Sequence, residues 1–259
     1  MVPDYERRNQ IRGLTEARLR ELFARSATRE DGWVSFLNAV RARDLVEIGV
    51  YRGEFAARLL RDCQAISTYY LVDPWRHLDD WEKPANQPDD VFQQLFQEAL
   101  DGTSPYAEKR VVLRGRTSEV IDQIPDASLD FAYIDGDHTL RGITIDLVKV
   151  YAKIRDEGWI GGDDFRQSIW HHGELYEPTL VFPFAIYFAE AVDARIYGLP
   201  RSQFLIEKAK DHRFAFIDLT GKYNERSLRS QLASKLGLCA PGHRRRPSLG
   251  ARLRERVGL

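Results

Sequence analysis

The segment Leu129–Phe165, LDFAYIDGDHTLRGITIDLVKVYAKIRDEGWIGGDDF, decides the fold. Its first apolar run, LDFAYID, is short and continuous, as expected of a strand buried on both faces. It ends in an acidic cluster, Asp135, Asp137 and His138. The middle, LRGITIDLVKVYAKI, puts Ile143, Leu147, Val150 and Ile154 near one face of a helix. A second strand, GWIGGDD, ends in Asp163 and Asp164. Strand, helix, strand in this order is a right-handed crossover between parallel strands. The carboxylates at the two strand ends then face each other. Either they cap the turns or they hold something there.

The same alternation extends in both directions. Upstream lie strand DLVEIG, helix GEFAARLLRDC, strand YYLVDPW, helix DDVFQQLFQEAL, strand RVVLRG and short helix SEVIDQI. Downstream, a loop over 165–178 leads to a helix over about 181–192, then to ARIYGL and QFLIEKA as two late strands. RFAFIDL is a candidate for one more. The pattern predicts an α/β protein with a mainly parallel sheet and helices on both faces. In such sheets ligands sit at the carboxyl ends of the strands, here marked by Gly49, Asp73, Gly115, Asp135 and Asp163. Residues 1–41 read as a helical extension, with Leu14, Leu19, Leu22 and Phe23 on one face and Thr15 as a helix cap. The main domain is expected over 42–240, followed by an arginine-rich tail over 241–259 that reads as a solvated terminus.

The bulk numbers set limits. At 259 residues, 43% hydrophobic and 30% charged, the chain suits one large domain with small appendages. A net charge of −1 gives no electrostatic case for nucleic acid or an anionic membrane. Cys63 and Cys239 lack zinc-type spacing and read as reduced thiols. The charged N-terminus has no signal-peptide core, and no apolar run approaches a membrane span. A cytoplasmic protein acting on a small molecule is expected. A homo-oligomer stays open, because the N-terminal helices suit either a cap on the acceptor site or a contact between copies.

VEIGVYRGEF places Glu47, Gly49 and Gly53 around the first strand-to-helix turn. Small residues here let a ligand approach backbone N–H groups. The spacing G-x-x-x-G departs from the dinucleotide G-x-G-x-x-G, which argues against a nicotinamide-dependent oxidoreductase. Asp73 ends the second strand, where a carboxylate can accept ribose hydroxyls; its alternative role is a cap for the turn before Pro74. Together VEIGVYRGEFAARLL, YYLVDPW, SLDFAYIDGDHT and GGDDF resemble the class I S-adenosylmethionine-dependent methyltransferases, and within them the bacterial methyltransferase family 24. Catechol and macrolide sugar O-methyltransferases share that layout, and the resemblance spans about residues 44–208.

The resemblance implies a sheet order 3-2-1-4-5-7-6 with the seventh strand antiparallel. It sets Glu47 and Gly49 along the methionine part of the cofactor, Gly53 at the helix start, Asp73 on the ribose, Trp75 either beside the adenine or in the core or a lid, and Thr117 and Ser118 on the adenine edge, where they also suit a helix cap. It further implies a divalent metal on Asp135, Asp163 and Asp164. Magnesium suits three oxygen ligands, since packed carboxylates repel unless a cation joins them. A metal would orient the acceptor oxygen and lower its pKa, and a base would take the proton. His138 is the first candidate base, with Asp135, Asp137, His171 and His172 behind it. Asp137 also reads as a turn residue. The loop DDFRQSIWHHGELYEPTLVF departs from the acceptor loops of the catechol and sugar enzymes, which leaves the acceptor open. The expected activity is O-methylation of a small hydroxylated metabolite, with a sugar among the acceptor classes. A non-catalytic cofactor-binding module is the remaining alternative.

Overall fold

A computed structural model describes residues 14–209, 213–224 and 226–235. The chain divides into two units after Asn224. The first unit opens with helices α1 (Glu16–Ala24) and α2 (Arg29–Val40). Then come β1 (Asp44–Ile48), α3 (Glu54–Asp62), β2 (Thr68–Asp73), α4 (Asp89–Gly102), β3 (Arg110–Arg114) and the one-turn α5 (Thr117–Val120). They are followed by β4 (Leu129–Ile134), α6 (Leu140–Lys153), β5 (Ile154–Gly162), α7 (Val181–Ala191), β6 (Arg195–Leu199), β7 (Gln203–Lys208) and β8 (Ala215–Asp218). In the second unit the described residues hold one helix, α8 (Leu228–Lys235). The basic tail lies outside the described residues, as does Cys239; Cys63 is buried and free. No helix among the described residues is long and apolar enough to cross a membrane.

The sheet runs β3-β2-β1-β4-β5-β7-β6-β8. β7 is antiparallel to both β5 and β6, and the other pairings are parallel. The expected order holds, and RFAFIDL supplies an eighth strand beside β6. Alternation along β4 shows why the strands read as continuous apolar runs. Phe131 and Tyr133 enter one core with Trp33, Phe36, Phe55 and Trp159. Ala132 and Ile134 enter the other with Ile143, Leu147, Val181 and Phe204. Each side of the sheet is covered, so every position of β4 except Asp130 is buried.

The N-terminal helices belong to this core. Thr15 caps α1, its side chain accepting from the Arg18 N–H at 3.2 Å. Thr28 and Asp31 form a reciprocal capping box at the start of α2. Trp33 is fully buried; its Nε1 donates to Gln203 Oε1 at 2.9 Å. A Cβ on Gly161 of β5 would lie 2.2 Å from the Trp33 ring, so the indole needs a glycine beneath it. Arg29 precedes Trp33 by one helical turn and therefore projects from the same side of α2 toward the strand ends.

Candidate active site

One cavity of about 630 Å³ opens along the carboxyl ends of β1, β2, β3 and β4. Its floor is the turn after β1. Gly49 takes φ +86°, and a Cβ there would stand 2.1 Å from the Asp135 carbonyl oxygen. Only glycine lets the ends of β1 and β4 come this close. Glu47 lies beneath the floor, 2% exposed, and accepts the Tyr69 hydroxyl at 2.8 Å. Burial, reinforced by Asp135 and Asp73, lifts its pKa to about 8 against the opposing bond from Tyr69 and the charge of Arg29. At neutral pH Glu47 is mostly neutral, in a position where a cationic ligand would ionise it.

Asp73 organises the neighbouring turn. Its Oδ2 accepts the N–H groups of Val50 at 3.0 Å and Tyr51 at 2.9 Å, and its Oδ1 accepts that of Trp75 at 2.7 Å. Burial raises its pKa, and these bonds work in the opposite direction. Asp73 thus caps the turn, one of the two roles expected of it, and it also lines the cavity. Trp75 does not. Its ring is 1% exposed and packs on Phe96 at 4.9 Å, with Nε1 donating to the Tyr51 carbonyl. Of the places open to Trp75 the core is the one taken, and not the side of a base: the chain turns at φ +40° there and the indole is buried. Gly53 is likewise a helix start rather than a cavity residue; a Cβ there would meet Ala99 of α4 at 2.8 Å.

Thr117 and Ser118 line the cavity as the first two residues of α5, while Arg116 occupies the cap position. Thr117 hydrogen-bonds Asp146, a buried carboxylate of α6 that sequence inspection passes over because it reads as one polar position on a helix. Burial, opposed by that bond, lifts Asp146 to about 7.

The acidic rim is answered by cations from the protein. Arg29 Nη1 donates to Asp163 and lies 3.2 Å from Asp135 Oδ2. Its guanidinium stands over the rings of Phe55 and Tyr133, at 5.5 and 5.9 Å. Burial works against the arginine charge, but Tyr133, Asp163 and Asp135 outweigh it and hold its pKa above the ordinary value. Asp163 Oδ1 also accepts from Gln203 Nε2 at 2.5 Å and from the Asp164 N–H at 2.7 Å. Asp163 is therefore enclosed, and it does not line the cavity.

Asp164 turns the other way, at φ +55°. Its Oδ2 lies 2.8 Å from His138 Nδ1 and 3.5 Å from His172 Nε2, and its Oδ1 lies 3.2 Å from His171 Nε2. Burial raises the Asp164 pKa, yet the bond and charge of His138, with His171 and His172, prevail and bring it to about 2. Burial lowers His138, but Asp135 and Asp164 outweigh it and carry its pKa to about 10. His138 thus holds its proton at neutral pH, which removes it as the initial base. His171 and His172 are held below the ordinary imidazole value, burial first, and are neutral there. Asp137 is a turn residue, accepting the Thr139 N–H at 3.0 Å and Trp81 Nε1 at 3.1 Å.

Magnesium on Asp135, Asp163 and Asp164 does not fit this geometry. A guanidinium stands between the first two carboxylates, and the third is surrounded by imidazoles. The ligand set expected from the sequence is corrected accordingly. What sequence inspection missed is Arg29, which comes from a helix far upstream and carries no motif.

The cavity roof is the segment after β2. Leu78, Asp80, Trp81 and Lys83 line it. Asp80 pairs with Arg116 and, at 3.2 Å, with Arg141. Lys83 Nζ donates to the Glu177 carbonyl at 2.6 Å and to Thr179 at 3.3 Å. This segment is thus tied down on both sides.

Residues 46–165, from β1 to the end of β5, match the family model described as a methyltransferase domain. Over these residues the chain carries a methyltransferase domain. Its fold is shared with a protein from Staphylococcus aureus proposed to be a caffeoyl-CoA O-methyltransferase, at 12% identity and TM-score 0.52, over 80% of this chain and 100% of that one. The O-methyltransferase NovP aligns at 15% identity and TM-score 0.49, covering 74% and 80%. The methyltransferase PaMTH1 of Podospora anserina, solved with S-adenosylhomocysteine, aligns at 14% and 0.48, covering 81% and 89%. No curated protein sequence matches the chain. Gly49, Asp73, Asp135, His138 and Asp164 all fall within the matched residues.

Proposed function

We propose that the methyltransferase moves the methyl group of S-adenosylmethionine to a hydroxyl oxygen of a small metabolite, with sugars as one acceptor class. One observation carries this: the Asp135 backbone packs against Gly49 of the cofactor turn, while its side chain belongs to the His138–Asp164 rim. A proton acceptor therefore stands next to the turn assigned to the methionine end of the cofactor. Transfer is an in-line displacement, so the gain comes from holding oxygen and methyl carbon in line. Glu47 would receive the cofactor ammonium, Asp73 the ribose, and Thr117 with Ser118 the edge of the base.

Asp135 takes the acceptor's proton in this scheme. His138, protonated and lying 3.4 Å from Asp135 Oδ1 and 2.8 Å from Asp164 Oδ2, positions that carboxylate. The magnesium assistance expected from the sequence has no place in the scheme, because Arg29 already neutralises Asp135 and Asp163. The test is calorimetric titration with S-adenosylhomocysteine, followed by transfer of labelled methyl groups to fractionated hydroxylated metabolites. Asp135→Asn should bind the product cofactor within a few-fold of the parent and lose turnover by roughly 100-fold or more, the scale of a general base. Equal turnover in the variant would remove Asp135 from the chemistry.

A further inference from the structure

We infer that His138, Asp164 and His172 form a binding site for a borderline divalent transition metal, such as zinc, cobalt or manganese, distinct from a magnesium site. One ligand atom from each of the three lies within 4.8 Å of the others. The arrangement is specific about which atoms converge. His138 Nδ1 and His172 Nε2 both face the same carboxylate oxygen, Asp164 Oδ2, at 2.8 and 3.5 Å. The other oxygen, Oδ1, stands 3.2 Å from His171 Nε2, which fixes the plane of the carboxylate. Adjacent histidines thus divide their work, and only His172 faces the convergence point.

The outer shell fits as well. A ligating imidazole usually presents its second nitrogen to a carboxylate, which fixes tautomer and orientation. The second nitrogen of His138, Nε2, lies 3.4 Å from Asp135 Oδ1. The two carboxylates that would complete a hard, all-oxygen site are withdrawn. Asp163 is enclosed by Arg29, Gln203 and its own turn, and Asp135 shares Arg29. In the metal-free chain His138 Nδ1 carries a proton toward Asp164, and the ion takes that proton's place while Nε2–H stays on Asp135; the donor set is then two imidazoles and one carboxylate, which selects zinc, cobalt, iron or manganese over magnesium and calcium. Three protein ligands leave coordination positions for donor atoms of a bound molecule. All three line the cavity.

This site goes beyond the proposed methyl transfer and is tested without it. The full chain, stripped of metal with a chelator and dialysed, is titrated with Co²⁺ while its visible absorption is recorded. It is then titrated with Zn²⁺ and with Mg²⁺ in the calorimeter. The expected result is one site for zinc, a cobalt spectrum of low-symmetry coordination, and no heat from magnesium at millimolar concentration. His172→Ala, a substitution in a partly exposed loop, should weaken zinc at least roughly 10- to 100-fold, the loss seen even for outer-shell partners. His171→Ala should cost less than His172→Ala. An unchanged melting temperature shows that the loop variants are folded. Absence of zinc and cobalt binding overturns the site, as does magnesium binding as well as zinc. Unaltered zinc affinity in His172→Ala also overturns it, since the ion would then sit elsewhere. A parallel titration with S-adenosylhomocysteine keeps the two questions apart: cofactor binding without zinc binding rejects the metal site alone.

Discussion

Glu47 shows how a single buried group couples pH to both stability and binding. Its pKa is about 8 in the folded chain against an ordinary 4.5. Between these values the folded state keeps a proton that the unfolded state has released, so stability falls as pH rises from about 4.5 to about 8. Glu47→Gln removes that slope. Urea midpoints should show the variant gaining on the parent between pH 5 and pH 8, and parallel midpoints at both pH values would contradict the burial described. If the cofactor ammonium ionises Glu47, S-adenosylhomocysteine affinity in the parent rises over the same pH interval and stays flat in the variant. Motif spacing was enough to mark Glu47, Gly49 and Asp73, because strand ends and glycine turns are local features. It left Trp75 open, since a residue beside this turn is equally able to rotate into the core. It had no means of marking Arg29 or Asp146, whose roles exist only once distant elements meet.

At the scale of elements, α2 does two jobs with one face. Trp33 fills the core over Gly161, and Arg29 reaches the strand ends. Trp33→Ala should cost about 3–5 kcal/mol, the usual range for deleting a buried large aromatic, measurable by denaturant unfolding. Arg29→Ala leaves two half-enclosed carboxylates without their counter-charge. A loss of roughly 1–3 kcal/mol is expected, with Arg29→Lys recovering part of it. A variant as stable as the parent would show that the guanidinium is incidental. The strands and helices themselves were legible because each is short, periodic and bounded by turn residues. β8 was legible only as an apolar stretch, since its parallel place beside β6 depends on a return path that no local pattern specifies.

For the whole molecule, closure of the cavity rests on ion pairs that solvent can reach. Asp80 is 48% exposed, and its partners Arg116 and Arg141 are 30% and 71% exposed. Such pairs contribute little to global stability and are screened by salt. Asp80→Ala should therefore leave the unfolding free energy within about 1 kcal/mol while speeding release of S-adenosylhomocysteine several-fold, measured by stopped-flow. High salt should mimic the variant. Equal release rates would mean that Trp81 and Lys83 hold the roof without Asp80. No local sequence pattern marks the anchoring of this segment to Asp137, Glu177 and Thr179, because it depends on two loops meeting across the cavity.

The hydrogen-bonded line from Trp33 through Gln203 to Asp163, and on to Arg29, runs outside the family segment at three of its four members. The stretch that makes the chain recognisable as a methyltransferase is therefore not a unit that can be cut out. A fragment of residues 46–165 would keep the cofactor turn and lose the indole, the amide and the guanidinium that support the acidic rim, together with His172. Mutational libraries or domain grafts confined to residues 46–165 would be exploring half a site.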